Sequence, residues 1–192
     1  MKKHKGLNFN KKRKKIEANL VREVFSWILG VVIASILAIT VVYCIGMRTS
    51  VIGISMEPTL YSGQEIFIDQ FLYNISTPKQ GDVVVFLPNG NEKSHYYVKR
   101  VVGVPGDSVQ IINSRLYVNG ELIEGNYDKI EDLGIAEQEI ILGEDQYFVL
   151  GDNINDSEDS RSGNLGGIDK DDIIGKAWFK LATSESKMGL IK

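Results

Sequence analysis

One long apolar run without any charge stands out near the start of the chain. Residues 24–46 contain no charged side chain. As an α-helix these 23 residues would extend roughly 35 Å, at about 1.5 Å per residue, which is enough to cross a hydrocarbon core of about 30 Å. The run is longer than the apolar core of a cleaved signal peptide, about 7–15 residues, and it ends in the bulky Val42-Tyr43-Cys44-Ile45 instead of a small-x-small site. The pattern predicts an uncleaved transmembrane anchor at 24–46.

Beyond the anchor, the apolar positions follow the pattern of β-strands. Runs rich in β-branched and aromatic residues are bounded by Gly, Pro, Asn and Asp. Strands are predicted at 64–69, 82–87, 96–104, 108–112 and 146–150. Residues 116–123 predict a small hairpin around Asn119-Gly120, and Pro105-Gly106-Asp107 predicts a tight connection between antiparallel strands.

The expected fold class is therefore mainly β. A single N-terminal transmembrane helix would be followed by an antiparallel β-sheet or barrel-like extracytoplasmic domain at 47–192. Residues after the anchor lack convincing helical periodicity, and we interpret the acidic stretch 128–144 as a surface excursion.

Charge is distributed unevenly along the chain. Residues 1–23 hold 9 Lys/Arg and 2 Asp/Glu, whereas the rest of the chain holds 13 and 23. The tail before the anchor is basic, whereas Arg48 is the only Lys or Arg in the 30 residues after it. This asymmetry predicts that 1–23 is cytoplasmic and that 47–192 lies outside the cell membrane. Because the folded part is acidic, its charge argues against a nucleic-acid partner.

The residue inventory also restricts the chemistry. The single cysteine, Cys44, excludes an intrachain disulfide and a Cys-x-x-Cys site. The loop at 151–161 has the polar composition of a calcium loop, but counted from Asp152 it has Ile154 at the third position and Gly163 at the twelfth. We therefore expect no metal and no cofactor.

Ser55, a few residues beyond the anchor, is a candidate nucleophile, and a serine nucleophile needs a base. His95 has no evident orienting partner, and Glu57 stands where a nucleophile elbow needs glycine. Lys99 lies within an apolar strand, where alternation sends Lys99 and Arg100 to opposite faces. Burial would lower the pKa of such a lysine, of which only about one in a few thousand is neutral at pH 7 at the ordinary value. The alternative is an edge-strand lysine whose stem carries its charge to water.

Four segments, in this order, resemble the sequence boxes of the type I signal peptidases, membrane-anchored serine proteases that remove signal peptides from exported proteins. The resemblance covers 24–176 and is greatest to the Gram-positive bacterial form. The matching segments are Ser-Met-Glu-Pro-Thr (55–59), Gly81-Asp-Val-Val-Val-Phe86, Lys99-Arg-Val-Val-Gly-Val-Pro-Gly-Asp107, and Gly151-Asp-Asn with Ser157, Asp159, Ser160 and Arg161.

The resemblance implies a Ser–Lys dyad in which Ser55 is the nucleophile and Lys99 the base. It further implies that Ser157 hydrogen-bonds and orients the lysine, and that Asp159 and Arg161 form an ion pair behind the site. Asp152 and Asn153 would belong to the same support.

The resemblance also implies how the substrate is held. The oxyanion would be bound by the Ser55 N–H and a second donor, which stays open because Gly53 stands where some members carry a hydroxyl. Shallow pockets would accept small residues at the first and third positions before the cut. The implied pocket residues are Val51, Ile52, Met56, Leu60, Tyr97 and Val98.

The expected function is signal peptide removal from exported preproteins at a membrane lipid surface. Ser55 follows the predicted anchor by 9 residues, which span at most about 30 Å even when fully extended. Two alternatives stay open. One is a Ser–Lys protease that cleaves itself or a dedicated partner, and the other is a non-catalytic relative that acts as an extracytoplasmic binding module.

Overall fold

The computed structural model describes residues 18–45, 47–125, 127 and 129–192. Most of the predicted basic tail therefore lies outside the described residues. Two α-helices and twelve strands are formed within them. In chain order these are α1 Ala18–Ile45, β1 Met47–Ser50, β2 Glu65–Asp69, α2 Leu72–Ile75, β3 Val83–Phe86, β4 Tyr97–Gly103, β5 Ser108–Ile112, β6 Arg115–Val118, β7 Glu121–Leu122, β8 Ile140–Ile141, β9 Gln146–Leu150, β10 Ile168–Asp169, β11 Ile173–Lys180 and β12 Gly189–Leu190.

Helix α1 has the length and composition of a membrane span. Its residues Leu20–Thr40 are long and apolar enough to cross a bilayer, and none of this stretch is buried by the protein. Large side chains such as Trp27 and Ile39 are mostly exposed. Exposed apolar side chains over this length are unfavourable in water but are favoured in hydrocarbon.

The strands form two antiparallel sheets within the described residues, as the prediction of a mainly β fold requires. The large sheet has the order β1-β2-β11-β3-β4-β9-β10, with β12 added beside β11. The small sheet has the order β7-β6-β5-β8. The mainly β fold class is confirmed.

The large sheet is buried on both faces at its centre. All four residues of β3 are buried, with Val83 and Val85 in one apolar cluster and Val84 and Phe86 in another. A strand covered on both faces reads as a continuous apolar run instead of an alternating one. The uninterrupted run at 83–86 is explained in this way, and the small sheet packs its own cluster beside it.

One predicted connection between strands is wrong. Residues 105–107 do form a turn, in which Asp107 N–H donates to the Val104 carbonyl at 3.0 Å, but β4 and β5 belong to different sheets. Both edges of β4 are already paired, with β3 and β9, so β5 takes its hydrogen bonds from β6 and β8.

The acidic stretch 128–144 is mostly exposed over its described residues, as expected of a surface excursion, but it also contributes to the core. Its apolar residues Ile130, Ala136 and Leu142 are buried in the core of the small sheet, and its strand β8 pairs with β5. The acidic residues between them lie at the surface. Because the three core positions are widely spaced among these charges, the composition of the stretch did not indicate that any of it is buried.

Gly103 marks where the two sheets pack together, and this close approach can be tested. A Cβ at this position would lie 2.8 Å from Val109 Cγ2 and 2.9 Å from Leu142 Cδ1. We expect Gly103→Ala to lower the free energy of unfolding by about 1–3 kcal/mol, because the added methyl forces packed side chains apart. Urea unfolding of the detergent-solubilised full chain measures this change. Gly189→Ala is the matched control, since its Cβ would meet nothing within 4 Å. Equal stability of the two variants would contradict the packing argument.

Candidate active site

The candidate nucleophile lies on a loop at 51–64, here called the nucleophile loop, which is closed at its base. Val51 N–H donates to the Gln64 carbonyl at 2.9 Å. The Gln64 side chain is fully buried, accepts the Tyr61 N–H at 3.0 Å and donates to the Leu181 carbonyl at 2.6 Å. Both ends of this amide are therefore satisfied, as burial demands. The role of Gln64 was not predicted, because in the sequence it is only a polar residue at the start of a predicted strand.

The same loop is held in the core by two apolar side chains. Met56 and Leu60 are fully buried among residues of the large sheet. They are not among the residues that line the groove described below, so their expected place in the substrate pockets stays a prediction. Their burial fixes the loop on both sides of Glu57-Pro58-Thr59, next to the candidate nucleophile.

Ser55 and Lys99 are brought together by the loop and by strand β4. Lys99 Nζ donates to Ser55 Oγ at 2.6 Å. Lys99 is opposite Val84 of β3, is 4% exposed, and has its Nζ 5.7 Å from the centre of the Tyr97 ring. Because β4 lies between β3 and β9, the alternative of an edge-strand lysine reaching water does not apply.

Burial changes the ionisation of this lysine. Loss of hydration lowers the pKa of Lys99 from 10.5 to about 8, although the negative charges of Asp159 and Glu158 act in the opposite direction. At a pKa near 8, about one lysine in ten is neutral at pH 7. The arrangement thus provides a partly neutral amine at hydrogen-bond distance from a hydroxyl.

Arg100, the next residue on β4, points to the other face and makes a bidentate ion pair. Its Nε and Nη2 donate to the two carboxylate oxygens of Asp152 at 2.7 and 2.6 Å. Asp152 was expected to support the site together with Asp159 and Arg161, but its partner is Arg100. The next residue, Asn153, donates its N–H to the Ser55 carbonyl at 3.0 Å and its side-chain amide to the Ile54 carbonyl at 3.3 Å.

The segment at 154–161 is organised by a second buried ion pair. Arg161 donates to both oxygens of Asp159, at 2.8 and 3.0 Å, in the arrangement expected from the sequence. Its guanidinium also donates to the Asp132 and Ile154 carbonyls. Within the described residues, no group of three or more His, Cys, Asp or Glu side chains is arranged to hold a metal ion.

Ser157 does not make the hydrogen bond that the sequence predicted. Its hydroxyl is buried and has no hydrogen-bond partner among the described residues. It lies close to Gly151, where an added Cβ would clash with both the Ser157 side chain and the Ser55 carbonyl. The close approach requires glycine at 151, and it brings Ser157 beside the nucleophile loop.

A groove of about 430 Å³ opens over the Ser55–Lys99 pair. Among the expected substrate-binding residues, Val51, Ile52, Tyr97 and Val98 line it, together with Gly53. Within the described residues, the Ser55 N–H donates to no protein acceptor. The groove also contains side chains for which sequence reasoning gave no substrate-binding role, namely His95, Tyr96, Asp156 and Glu158.

Comparison with known proteins gives a consistent result. The family described as signal peptidase, peptidase S26, matches residues 24–182. Signal peptidase I P from Bacillus subtilis subsp. natto is 36% identical over 176 residues, which cover 87% of this chain and 91% of that protein. Signal peptidase IB from Staphylococcus aureus (strain COL) is 34% identical over 177 residues, covering 83% and 90%. A crystal structure of a signal peptidase I from Enterococcus faecalis V583 is 27% identical, with a TM-score of 0.43, and covers 53% of this chain and 97% of that one.

The burial of Lys99 predicts a pH-dependent stability. The pKa of Lys99 is lower in the folded chain, about 8, than its ordinary value of 10.5, so the folded state disfavours the charged form. The destabilisation is complete below pH 8, decreases between pH 8 and 10.5, and disappears above that range. We expect Lys99→Met to raise the free energy of unfolding at pH 7 by roughly 3 kcal/mol, with the gain shrinking as the pH rises to 10.5.

Urea unfolding of the full chain at a series of pH values measures this gain. Lys93→Met, at an exposed position before β4, is the matched control and should change stability little. A gain from Lys99→Met that is absent at pH 7, or that grows between pH 8 and 10.5, would show that burial does not disfavour the charged lysine.

Proposed function

This chain belongs to the signal peptidase I family, peptidase S26, and we propose that it cuts preproteins by a Ser55–Lys99 dyad while anchored in the cell membrane by α1. Membership makes it a serine protease that removes signal peptides from preproteins. The residues, the cleavage rule and the membrane topology are our proposal. One observation carries the catalytic assignment: the contact of 2.6 Å between a serine hydroxyl and a buried lysine amine.

The proposed reaction begins when a neutral Lys99 Nζ takes the proton of Ser55 Oγ as the oxygen attacks the scissile carbonyl carbon. The lysine then gives that proton to the leaving amine, and the peptide C–N bond breaks to leave an acyl ester on Ser55. A water molecule gives a proton to Lys99, attacks the ester and releases the acid product, and the proton returns to Ser55 Oγ. The lysine is the base in both halves of the cycle.

Negative charge on the carbonyl oxygen needs donors fixed in advance. We propose the Ser55 N–H as one of them, because it faces no protein acceptor and follows Gly53 on the groove wall. Glycine at 53 has a φ of 85°, in the left-handed region, and offers no side-chain donor. The second hydrogen-bond donor to the oxyanion would therefore come from another backbone N–H or from another side chain near the bound substrate.

The groove suits an extended peptide with small side chains near the cut. Its walls beside Ser55 are formed by aliphatic and aromatic side chains, including Val51, Ile52 and Val98. We propose that these apolar walls accept small residues at the first and third positions before the scissile bond, since alternate side chains of an extended peptide point the same way. This arrangement supports cleavage after small-x-small sites.

The proposed location rests on the chain's length and charge. Ser55 follows α1 by 10 residues, which extend at most about 35 Å. A serine tethered in this way stays near the bilayer surface, where the end of a preprotein's apolar signal segment emerges. The basic residues before the span favour an N-terminus in the cytoplasm and a catalytic domain outside.

The direct test is cleavage of two unrelated exported preproteins by the detergent-solubilised full chain with added lipid. We expect cuts after small-x-small sites, and a loss of at least about a thousandfold in kcat/KM for Ser55→Ala and for Lys99→Arg. Arginine cannot act as a base at the pH of the assay, since its guanidinium stays protonated. Substantial activity of Lys99→Arg would remove the lysine from the role of base. Cleavage restricted to one preprotein would favour a protease with a dedicated partner.

The pH profile gives a second test of the lysine. Since the pKa of Lys99 is about 8, its neutral form is scarce below that pH. We expect kcat/KM to rise nearly tenfold per pH unit from pH 6 towards 8 and to level off above it. A profile that is flat between pH 6 and 8 would be inconsistent with Lys99 as the base.

A further inference from the structure

Glu158 brings a charge into a groove whose walls are otherwise mainly apolar. Its side chain lines the groove beside Ser55 and Lys99, and its carboxylate accepts a hydrogen bond from the Tyr97 hydroxyl at 3.1 Å. Tyr97 precedes Lys99 by two residues on β4, so both side chains leave the strand on the same face. The carboxylate is therefore directed to the part of the groove where a peptide would lie.

The backbone that carries Glu158 is fixed on both sides. Its predecessor Ser157 accepts a hydrogen bond from Arg161 at its carbonyl oxygen, and its successor Asp159 is 1% exposed and ion-paired. The position of the carboxylate is thus set by a rigid segment and by the Tyr97 hydroxyl, whereas its charge stays open to solvent and to a ligand.

The charges that face the groove are mostly negative when the lysine is ready to act as a base. Asp156 and Glu158 are carboxylates, and the cationic candidates lining the groove are Lys99 and His95. Lys99 must be neutral to accept a proton, which leaves the two carboxylates without a lysine counter-charge. Glu158 is also close enough to Lys99 to raise the pKa of that lysine against the larger effect of burial.

We propose that Glu158 is a specificity-determining residue, which favours a basic side chain and disfavours an acidic one at a substrate position adjoining the scissile bond. The inference rests on the proposed function, because it requires the peptide to occupy this groove. The first and third positions before the cut are assigned to the apolar walls. The charge preference therefore belongs to the second position before the cut or to the first two positions after it.

The expected size of the charge preference follows from the solvent exposure of the Glu158 carboxylate. A carboxylate that remains in contact with water gains little from an ion pair, so opposite charge at the adjoining substrate position should raise kcat/KM about two- to fivefold and like charge should lower it similarly. The effect is a discrimination between substrates, and added salt should weaken it.

The test is a set of peptides that share one small-x-small site and carry Lys, Gln or Glu at each of these three positions. Wild-type full chain in detergent should cleave the Lys peptide faster than the Glu peptide at one position, with a kcat/KM ratio of about 4 to 25. Glu158→Gln should bring that ratio close to one, and Glu158→Lys should invert it. Tyr97→Phe, which removes the orienting hydroxyl, should reduce the ratio partway.

The comparison of Lys and Glu peptides within one variant cancels any effect on folding or on the base. Glu139→Gln removes one carboxylate from an exposed position outside the groove lining and should keep the wild-type ratio. A wild-type ratio near one at all three positions overturns this inference, and so does a ratio that is unchanged in Glu158→Gln. In either case, cleavage of the Gln peptide leaves the proposed function standing. Absence of cleavage of the Gln peptide by the folded wild type would overturn both.

Discussion

The proposed chemistry depends on the burial of one lysine amine against one serine hydroxyl. Withdrawing the Lys99 ammonium from water is unfavourable, and in a less constrained chain the long side chain would reach solvent. Here it does not, because β4 is paired on both edges and the sheet around it is covered on both faces. The core therefore has a chemical consequence: the packing that encloses β4 lowers the pKa of Lys99 to about 8.

The two arginine–carboxylate pairs preserve this effect of burial. Asp152 and Asp159 are buried near Lys99, and each raises the pKa of that lysine. Arg100 and Arg161 pair with these carboxylates through two hydrogen bonds each, which satisfies the carboxylates locally and leaves burial as the dominant influence on Lys99. Buried ion pairs contribute little net stability, so their value here lies in geometry and in charge balance.

The sequence predicted the parts of the site whose signals are local. The strand at 97–103 reads as an apolar run interrupted by two cations, and alternation alone separates Lys99 from Arg100. The partners of those residues depend on long-range contacts, and a motif does not specify them. The resemblance placed Asp152 in the same support as Asp159, but folding pairs it with Arg100, 52 positions away.

The sequence pattern likewise did not show which loop residues are buried. The resemblance implied pocket roles for Met56 and Leu60, but it did not indicate that both side chains anchor the nucleophile loop in the core. Gln64 has no apolar signal at all, yet its amide closes the nucleophile loop on Leu181. Strand β11 was not predicted, although it pairs with both β2 and β3. Each of these features is determined by residues distant in sequence, which pattern reasoning does not connect.

The geometry also explains why stability and chemistry are coupled in this domain. A lysine held neutral enough to act as a base must destabilise the fold at neutral pH, where it is mostly protonated in the unfolded chain. The domain offsets this with apolar clusters on both faces of the large sheet and with a second core under the small sheet. Substitutions that loosen the packing around β4 would admit water to Lys99 and raise its pKa, so they would reduce the neutral fraction of this lysine before they unfolded the chain. The apolar core is in this sense part of the catalytic apparatus that we propose.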